Sequence, residues 1–337
     1  MQNKVKTKNS TFPKEGFLTV HQLFFNYPNQ NAFSGLKQLS LTAKKSEFIA
    51  VLGKSGCGKS TLLKCIFGME DVNSGEIMFC GERVYGPSRN LLPGHDGMSL
   101  VSQDFYVLEN HSVTENITDK LAGYSDAYKA KRVREILNIL QLKPFEFKKA
   151  RELSSGQRQR LSIGRALAVF PKLLLLDEPF SNLDAGLKDS LLNYIRNEAK
   201  KNNTSVIMVT HHAEDALKFS DKIVILKDGK CIQQGKPEEV YFKPKSMEVA
   251  RLFGKAFRLK NASTPNKLLR PEYFEQGTKN DSILKIEVSE SSFCGGCFEV
   301  SGKDDHDNQI SFYSENPIAE NRKEVFLKFR ENLLGKI

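Results

Sequence analysis

The densest chemistry in the chain lies in nine consecutive residues, Gly53-Lys54-Ser55-Gly56-Cys57-Gly58-Lys59-Ser60-Thr61. They fit GxxxxGK[ST], a loop whose glycines let backbone N–H groups turn inward as an anion nest while the following helix presents its positive end. Lys59 adds a full charge to the roughly half-unit charge of that helix terminus, and Ser60 stands where a hydroxyl can ligate Mg²⁺. Further along, Asp177-Glu178 follows Lys172-Leu173-Leu174-Leu175-Leu176. The first carboxylate suits a metal ion, directly or through water. The second can polarise an attacking water, a general-base role worth about 10² to 10⁴ in rate. His211 ends a third apolar run, where a neutral imidazole can bond a phosphate oxygen or satisfy a backbone carbonyl.

Each of these groups stands where an apolar run stops. Glu47-Phe48-Ile49-Ala50-Val51-Leu52 leads into Gly53, and Thr61 to Phe67 has helix-compatible spacing, which predicts strand, loop, helix. Lys172 to Leu176 and Ser205 to Thr210 are continuous apolar runs of the kind buried on both faces of a parallel sheet. Open α/β sheets place ligands beyond the carboxyl ends of such strands. Val133, Ile136, Leu137 and Leu140 follow the i, i+3, i+4, i+7 spacing of an amphipathic helix, so the stretch of about 104–165 reads as a helical subdomain. Lys222 to Leu226 and Cys231 to Gln233 flank Asp228-Gly229 and predict a hairpin. Pro237, Pro244 and Gly254 then punctuate a polar stretch. After residue 255 the pattern becomes Leu284/Ile286/Val288, Phe298/Val300, Ile310/Phe312 and Val325/Leu327/Phe329, the period-two alternation of a small β-barrel or sandwich.

The 337 residues, 39% hydrophobic and 27% charged, suit one large domain and one small one. No stretch approaches the roughly 18 apolar residues that span a bilayer. The basic start, Met1 to Lys8, has no apolar run after it, so neither a membrane span nor a secretory signal is expected, and the expected compartment is the cytoplasm. Of six cysteines only Cys294 and Cys297 stand at CxxC spacing, half the ligands of a structural zinc site. A net charge of +10 suits nucleic acid, an anionic bilayer surface, a nucleotide or simply a diffuse basic surface.

Leu153-Ser154-Ser155-Gly156-Gln157, followed by Arg158-Gln159-Arg160 and then by the Asp-Glu strand, resembles the signature of ABC ATPases; the resemblance covers about residues 17–240. It implies an α/β P-loop NTPase fold with a helical subdomain, ATP as the nucleotide and Mg²⁺ as the cofactor. Gly53, Lys54, Ser55, Gly56, Cys57, Gly58, Lys59, Ser60 and Thr61 would hold the phosphates, and Tyr27 would stack on adenine. Ser60, Gln103 and Asp177 would serve the metal; Lys59, Gln103, Glu178 and the switch histidine His211 would form the catalytic set. In that family Ser154, Ser155, Gly156 and Gln157 of one copy would cover the ATP held by the other, and Ser181-Asn182-Leu183-Asp184 resembles the loop that joins the two. Two chains would then close head to tail around two nucleotides. The second signature position, usually glycine, is here Ser155, a small residue that can still donate from a helix N-terminus. His212 stands where such proteins often carry an acidic residue.

Leu269-Arg270-Pro271-Glu272 with the alternating strands resembles the C-terminal OB/TOBE-like domain of importer ATPases for iron, polyamines, sulfate or maltose, although residues 256–337 are short for its full form. The expected layout is a polar tail (1–16), an ABC nucleotide-binding domain (17–240), a connector (241–255) and a β-domain (256–337). The resemblance implies a homodimer, or paired nucleotide-binding subunits, peripheral on the cytoplasmic membrane face. Separate permease subunits and, for an importer of ferric iron or a polyamine, a solute-binding protein would complete the system. Gln103 to Leu108 and the helical insertion are the expected permease contact. A soluble ABC ATPase acting on DNA or ribosomes is the competing reading. One phosphate loop, no long coiled coil and a single CxxC count against it, so no nucleic acid partner is expected. The β-tail counts against an exporter subunit.

Overall fold

The computed structural model describes residues 16–28, 34–181, 183–259, 268–318 and 324–331; Asn182 of the expected joining loop and residues 1–15 of the expected tail lie outside them. The chain divides into two compact units, 1–232 and 233–337.

In the first unit β1 (Leu18–Asn26), β2 (Gly35–Ala43), β4 (Ser74–Phe79) and β5 (Glu82–Arg83) form an antiparallel sheet in the order β2-β1-β4-β5. This sheet escaped the sequence reading because the alternation of β1 breaks. Leu18 and Val20 face inward, then Gln22 takes φ 42° at a register shift, and Leu23 and Phe25 resume the buried face one position late.

The second sheet holds β3 (Phe48–Leu52), β6 (Met98–Val101), β7 (Leu173–Asp177), β8 (Ser205–Val209), β9 (Lys222–Lys227) and β10 (Lys230–Gly235) in the order β10-β9-β3-β8-β7-β6. Every residue of β3, β7 and β8 is buried, as expected of apolar parallel strands covered on both faces. β9 and β10 flank the Asp228-Gly229 turn, and the passage to the second unit falls within β10.

The helices are α1 (Lys59–Phe67), α2 (Val113–Asp119), α3 (Asp126–Ile139), α4 (Ser155–Ala168), α5 (Ala185–Asn202) and α6 (Ala213–Phe219). Ile117, Val133, Ile136, Leu137, Leu140 and Leu161 bring α2, α3 and α4 into one core. Gly164 is what lets α4 approach, since a Cβ there would stand 2.6 Å from Leu140 Cδ1. Buried Arg132 on α3 donates to the Leu167 and Ala168 carbonyls at the end of α4 and lies over the Phe170 ring, supplying from another helix the cap that α4 lacks.

The second unit carries α7 (Pro237–Phe242), α8 (Met247–Leu252) and β11 (Phe274–Gln276), β12 (Leu284–Phe293), β13 (Phe298–Asp304), β14 (Gln309–Ser314) and β15 (Glu324–Phe329). Its antiparallel sheet runs β11-β15-β12-β13-β14, and Gln276 Nε2 donates to Ser314 Oγ at 3.0 Å, bringing the two outer strands toward closure. Ile286, Val300, Ile310, Phe312, Val325 and Leu327, all from the predicted alternating runs, form its core. Arg270 is buried over the Tyr241 ring and donates to the Ala250 carbonyl at 2.9 Å. Among the described residues no helix is long and apolar enough to cross a membrane.

Candidate nucleotide site

Strand register gathers the chemistry. β3 runs parallel to β8 with Val51 opposite Val209, β7 pairs Asp177 with Val209, and β6 pairs Val101 with Leu176. The loops carrying Gly53, Gln103, Glu178 and His211 therefore leave one edge of one sheet, where open α/β folds bind ligands.

The glycine loop opens α1 in an unusual way. Helices α2, α3, α4, α5 and α8 are N-capped by the side chains of Ser112, Ser125, Ser154, Asp184 and Ser246; α6 and α7 lack such a cap, as does α1, whose N-cap is instead Gly58, left-handed at φ 103°. No N-cap side chain occupies the start of its first turn, and a phosphate is the acceptor that position favours.

A turn distant in sequence braces this loop: Gly229 donates to the Cys57 carbonyl at 3.0 Å and accepts from Lys37 N at 2.7 Å. A Cβ on Gly229, whose φ is 77°, would lie 2.4 Å from the Gly35 carbonyl. Gly229→Ala is therefore expected to cost at least about 1–2 kcal/mol from left-handed strain. Urea unfolding should show the lower stability, and a nucleotide titration should show weaker binding because the brace behind Cys57 is displaced.

Lys59, 6% exposed, donates from Nζ to the Gly53 and Lys54 carbonyls at 2.9 and 3.1 Å, which holds its charge over the loop. Ser60 Oγ donates to Asp177 Oδ1 at 2.9 Å. A hydroxyl and a carboxylate so paired are hard oxygen donors of the type Mg²⁺ prefers, so the residues fit that ion. Next to them Glu178 has φ 46°, a sparsely populated backbone conformation for a residue with a side chain. Its N–H donates to the Val209 carbonyl, and its carboxylate meets His211 Nδ1 at 3.3 Å.

Burial drives the Asp177 carboxyl above its ordinary 3.8, the Ser60 hydrogen bond opposing this and the Glu178 charge reinforcing it. A folded-state pKa above the unfolded one means that folding favours the protonated carboxyl. That contribution is complete below the unfolded value and lost as pH rises through the folded one. Asp177→Asn keeps an oxygen for Ser60 and removes the buried charge. It is expected to raise the Tm of the nucleotide-free protein at about pH 8, the gain shrinking toward about pH 4, and to abolish any magnesium-dependent increase in nucleotide affinity. Paired thermal melts and titrations check both.

The structure brings other predicted residues into place unevenly. Tyr27, half-buried at the end of β1, has its hydroxyl 3.4 Å from Thr61 Oγ1, beside the start of α1. Gln103 is exposed in the turn after β6. Ser154 and Gln157 bond each other in a capping box, Ser154 N to Gln157 Oε1 at 2.9 Å and Gln157 N to Ser154 Oγ at 3.3 Å. Ser154 and Ser155 are exposed at the start of α4, and among the described residues no hydrogen bond joins the 154–157 segment to Lys59, Ser60 or Thr61. Asp184 caps α5 by accepting from Leu187 N at 2.9 Å.

Three residues the sequence reading gave no role connect these parts. Gln159, fully buried on α4, donates to the Pro179 carbonyl at 2.8 Å, tying the signature helix to the segment after Glu178. Fully buried Asn116 accepts from Leu108 N at 2.8 Å, donates to the Leu108 carbonyl at 2.9 Å, and accepts from Arg165 of α4 at 3.0 Å. The segment after Gln103 is thereby pinned to the signature helix. A polar residue inside an apolar helical pattern was the available signal for Asn116.

These features define a P-loop nucleotide-binding cassette. Residues 36–181 match the family described as ABC transporter. The sn-glycerol-3-phosphate import ATP-binding protein UgpC 1 of Rhizobium johnstonii is 40% identical over 218 residues, 64% of this chain and 58% of that protein. The spermidine/putrescine import ATP-binding protein PotA of Thermotoga maritima is 37% identical, covering 68% of this chain and 61% of that one. The sulfate/thiosulfate import ATP-binding protein CysA of Pseudomonas syringae pv. tomato is 36% identical, covering 72% and 75%. The match thus spans less than two thirds of the length of the first two relatives. Among solved structures, a dimeric post-hydrolysis state of the ATP-binding cassette MJ0796 bound to ADP and Pi superposes with a TM-score of 0.57 at 27% identity, covering 65% of this chain and 98% of that one. The chain belongs to the ABC transporter family, on the side of its ATP-binding cassettes.

Proposed function

We propose that this protein is the ATP-binding and ATP-hydrolysing subunit of an ABC importer, peripheral on the cytoplasmic face of the membrane and coupled to separate permease subunits and a solute-binding protein. The observation that supports it most is the meeting, at one sheet edge, of an uncapped glycine-started helix with Lys59, the Ser60–Asp177 pair and the Glu178–His211 pair.

The α1 N–H groups and Lys59 bind the phosphates of ATP, and Tyr27 packs beside the adenine. Ser60 and Asp177 would hold Mg²⁺, which would supply charge neutralisation on the phosphates. Glu178 accepts the proton of a water whose oxygen bonds to the γ-phosphorus as the bond to ADP breaks. His211 orients that carboxylate or bonds the γ-phosphate. Positioning and charge neutralisation carry most of such a reaction. The exposed start of α4, with Ser154, Ser155, Gly156 and Gln157, covers the ATP of a second copy, and Asp184 fixes the adjoining segment by capping α5. Gln103 and the segment to Leu108 face the permease.

Relatives named for glycerol phosphate, sulfate and polyamine import lie within a few per cent identity of one another relative to this chain. Similarity of the cassette therefore follows the shared ATP chemistry more than the solute. A polyamine, which one relative's name carries, or ferric iron is the solute proposed. Magnesium-dependent phosphate release by the purified protein, together with a pull-down in mild detergent, tests the reading. Hydrolysis with recovery of membrane subunits supports it; recovery of ribosomes or DNA without any membrane protein would contradict it.

A further inference from the structure

Away from the nucleotide site, β12 and β13 of the second unit meet at Cys294-Gly295-Gly296-Cys297. The two sulfurs stand 3.4 Å apart, and Cys294 N donates to the Cys297 carbonyl at 3.0 Å, so the backbone already holds both residues across one tight turn. Gly295 supplies the left-handed conformation, at φ 100°, that the turn needs. Below it Phe293 pairs with Phe298, their ring centroids 5.3 Å apart, which fixes the arms of the hairpin.

The tip is open. Cys294 is exposed and Cys297 half-exposed, and a Cβ built on Gly295 or Gly296 would meet nothing within 4 Å. Among the described residues no third histidine, cysteine, aspartate or glutamate completes a metal-binding group here. The other four cysteines lie elsewhere, Cys57 and Cys65 in the interior of the first unit. A disulfide needs the sulfurs to close to about 2.05 Å, which would give up the Cys294 Sγ donation to the Cys297 carbonyl at 3.3 Å.

We propose that Cys294 and Cys297 form a reversible dithiol–disulfide site that exchanges with small disulfides of the glutathione class. The exposed Cys294 thiolate attacks one sulfur of the oxidised peptide, forming a mixed disulfide and expelling one glutathione thiolate. Cys297, after losing its proton to solvent, attacks the Cys294 sulfur and expels the second glutathione. Two protein thiols are oxidised and one glutathione disulfide is reduced to two thiols. The hydrogen bond with Cys294 raises the Cys297 thiol above its ordinary value, consistent with Cys297 as the resolving rather than the attacking residue.

The test treats the whole protein with oxidised glutathione, alkylates the remaining thiols under denaturing conditions and analyses tryptic peptide 286–303, which contains both cysteines and no others. The expected result is a loss of two hydrogens from that peptide, a fall in alkylatable thiols from six to four, and reversal by dithiothreitol. Cys297→Ser should accumulate the mixed disulfide on Cys294. A peptide that stays dithiol, a glutathione adduct that persists unresolved in the unmodified protein, or disulfides between chains would each overturn the proposal. So would one zinc ion per chain protecting both thiols from alkylation, which would make the pair a metal site.

Discussion

Glu178→Gln is expected to slow ATP turnover by about 10²- to 10⁴-fold, the range associated with loss of a general base. The amide keeps the size and hydrogen-bonding reach of the carboxylate but cannot take a proton. The fold beside it changes little, because the strained backbone at φ 46° and the N–H bond to Val209 belong to the main chain. Binding should survive, since Lys59, Ser60 and the α1 terminus are untouched. Phosphate release over time and equilibrium nucleotide binding, measured on the same preparation, separate the two effects. Unchanged turnover would remove Glu178 from its role.

Lys59→Ala acts at the other step. It deletes a charge-assisted donor worth about 1.5–3 kcal/mol, so nucleotide affinity is expected to fall roughly 10- to 150-fold. The variant also leaves the Gly53 and Lys54 carbonyls without their donor in a nearly buried position, so a modest drop in Tm should accompany the weaker binding. Isothermal titration with a slowly hydrolysed ATP analogue reads the affinity directly. Wild-type affinity in this variant would contradict the assignment of the loop.

The parts of the structure legible in the sequence are those set by neighbours in the chain. The glycine loop, the apolar strands β3, β7 and β8 and the alternating strands of the second unit each declare themselves within ten residues or so. The antiparallel sheet of β1, β2 and β4 does not, because the bulge at Gln22 breaks its period and β4 reaches β1 from far along the chain, Ser74 lying opposite Phe24. The same holds at the site. Lys59, Ser60, Asp177 and Glu178 announce their chemistry by type and spacing. The brace of Gly229 against Cys57 and Gly35, the tie from Gln159 to Pro179 and the pin of Asn116 to Arg165 depend on contacts that only the fold creates. Asp228-Gly229 reads locally as a hairpin turn and nothing more; its second use, behind the phosphate loop, comes from the placement of β9 next to β3.

The most direct test of the account is the assembly state of the Glu178→Gln protein with ATP and Mg²⁺, followed by sedimentation velocity with nucleotide absorbance recorded alongside. Two chains enclosing two nucleotides, formed only when ATP is present, is the result predicted. Chains that bind ATP yet sediment singly at every concentration would contradict the claim that each copy completes the other's site.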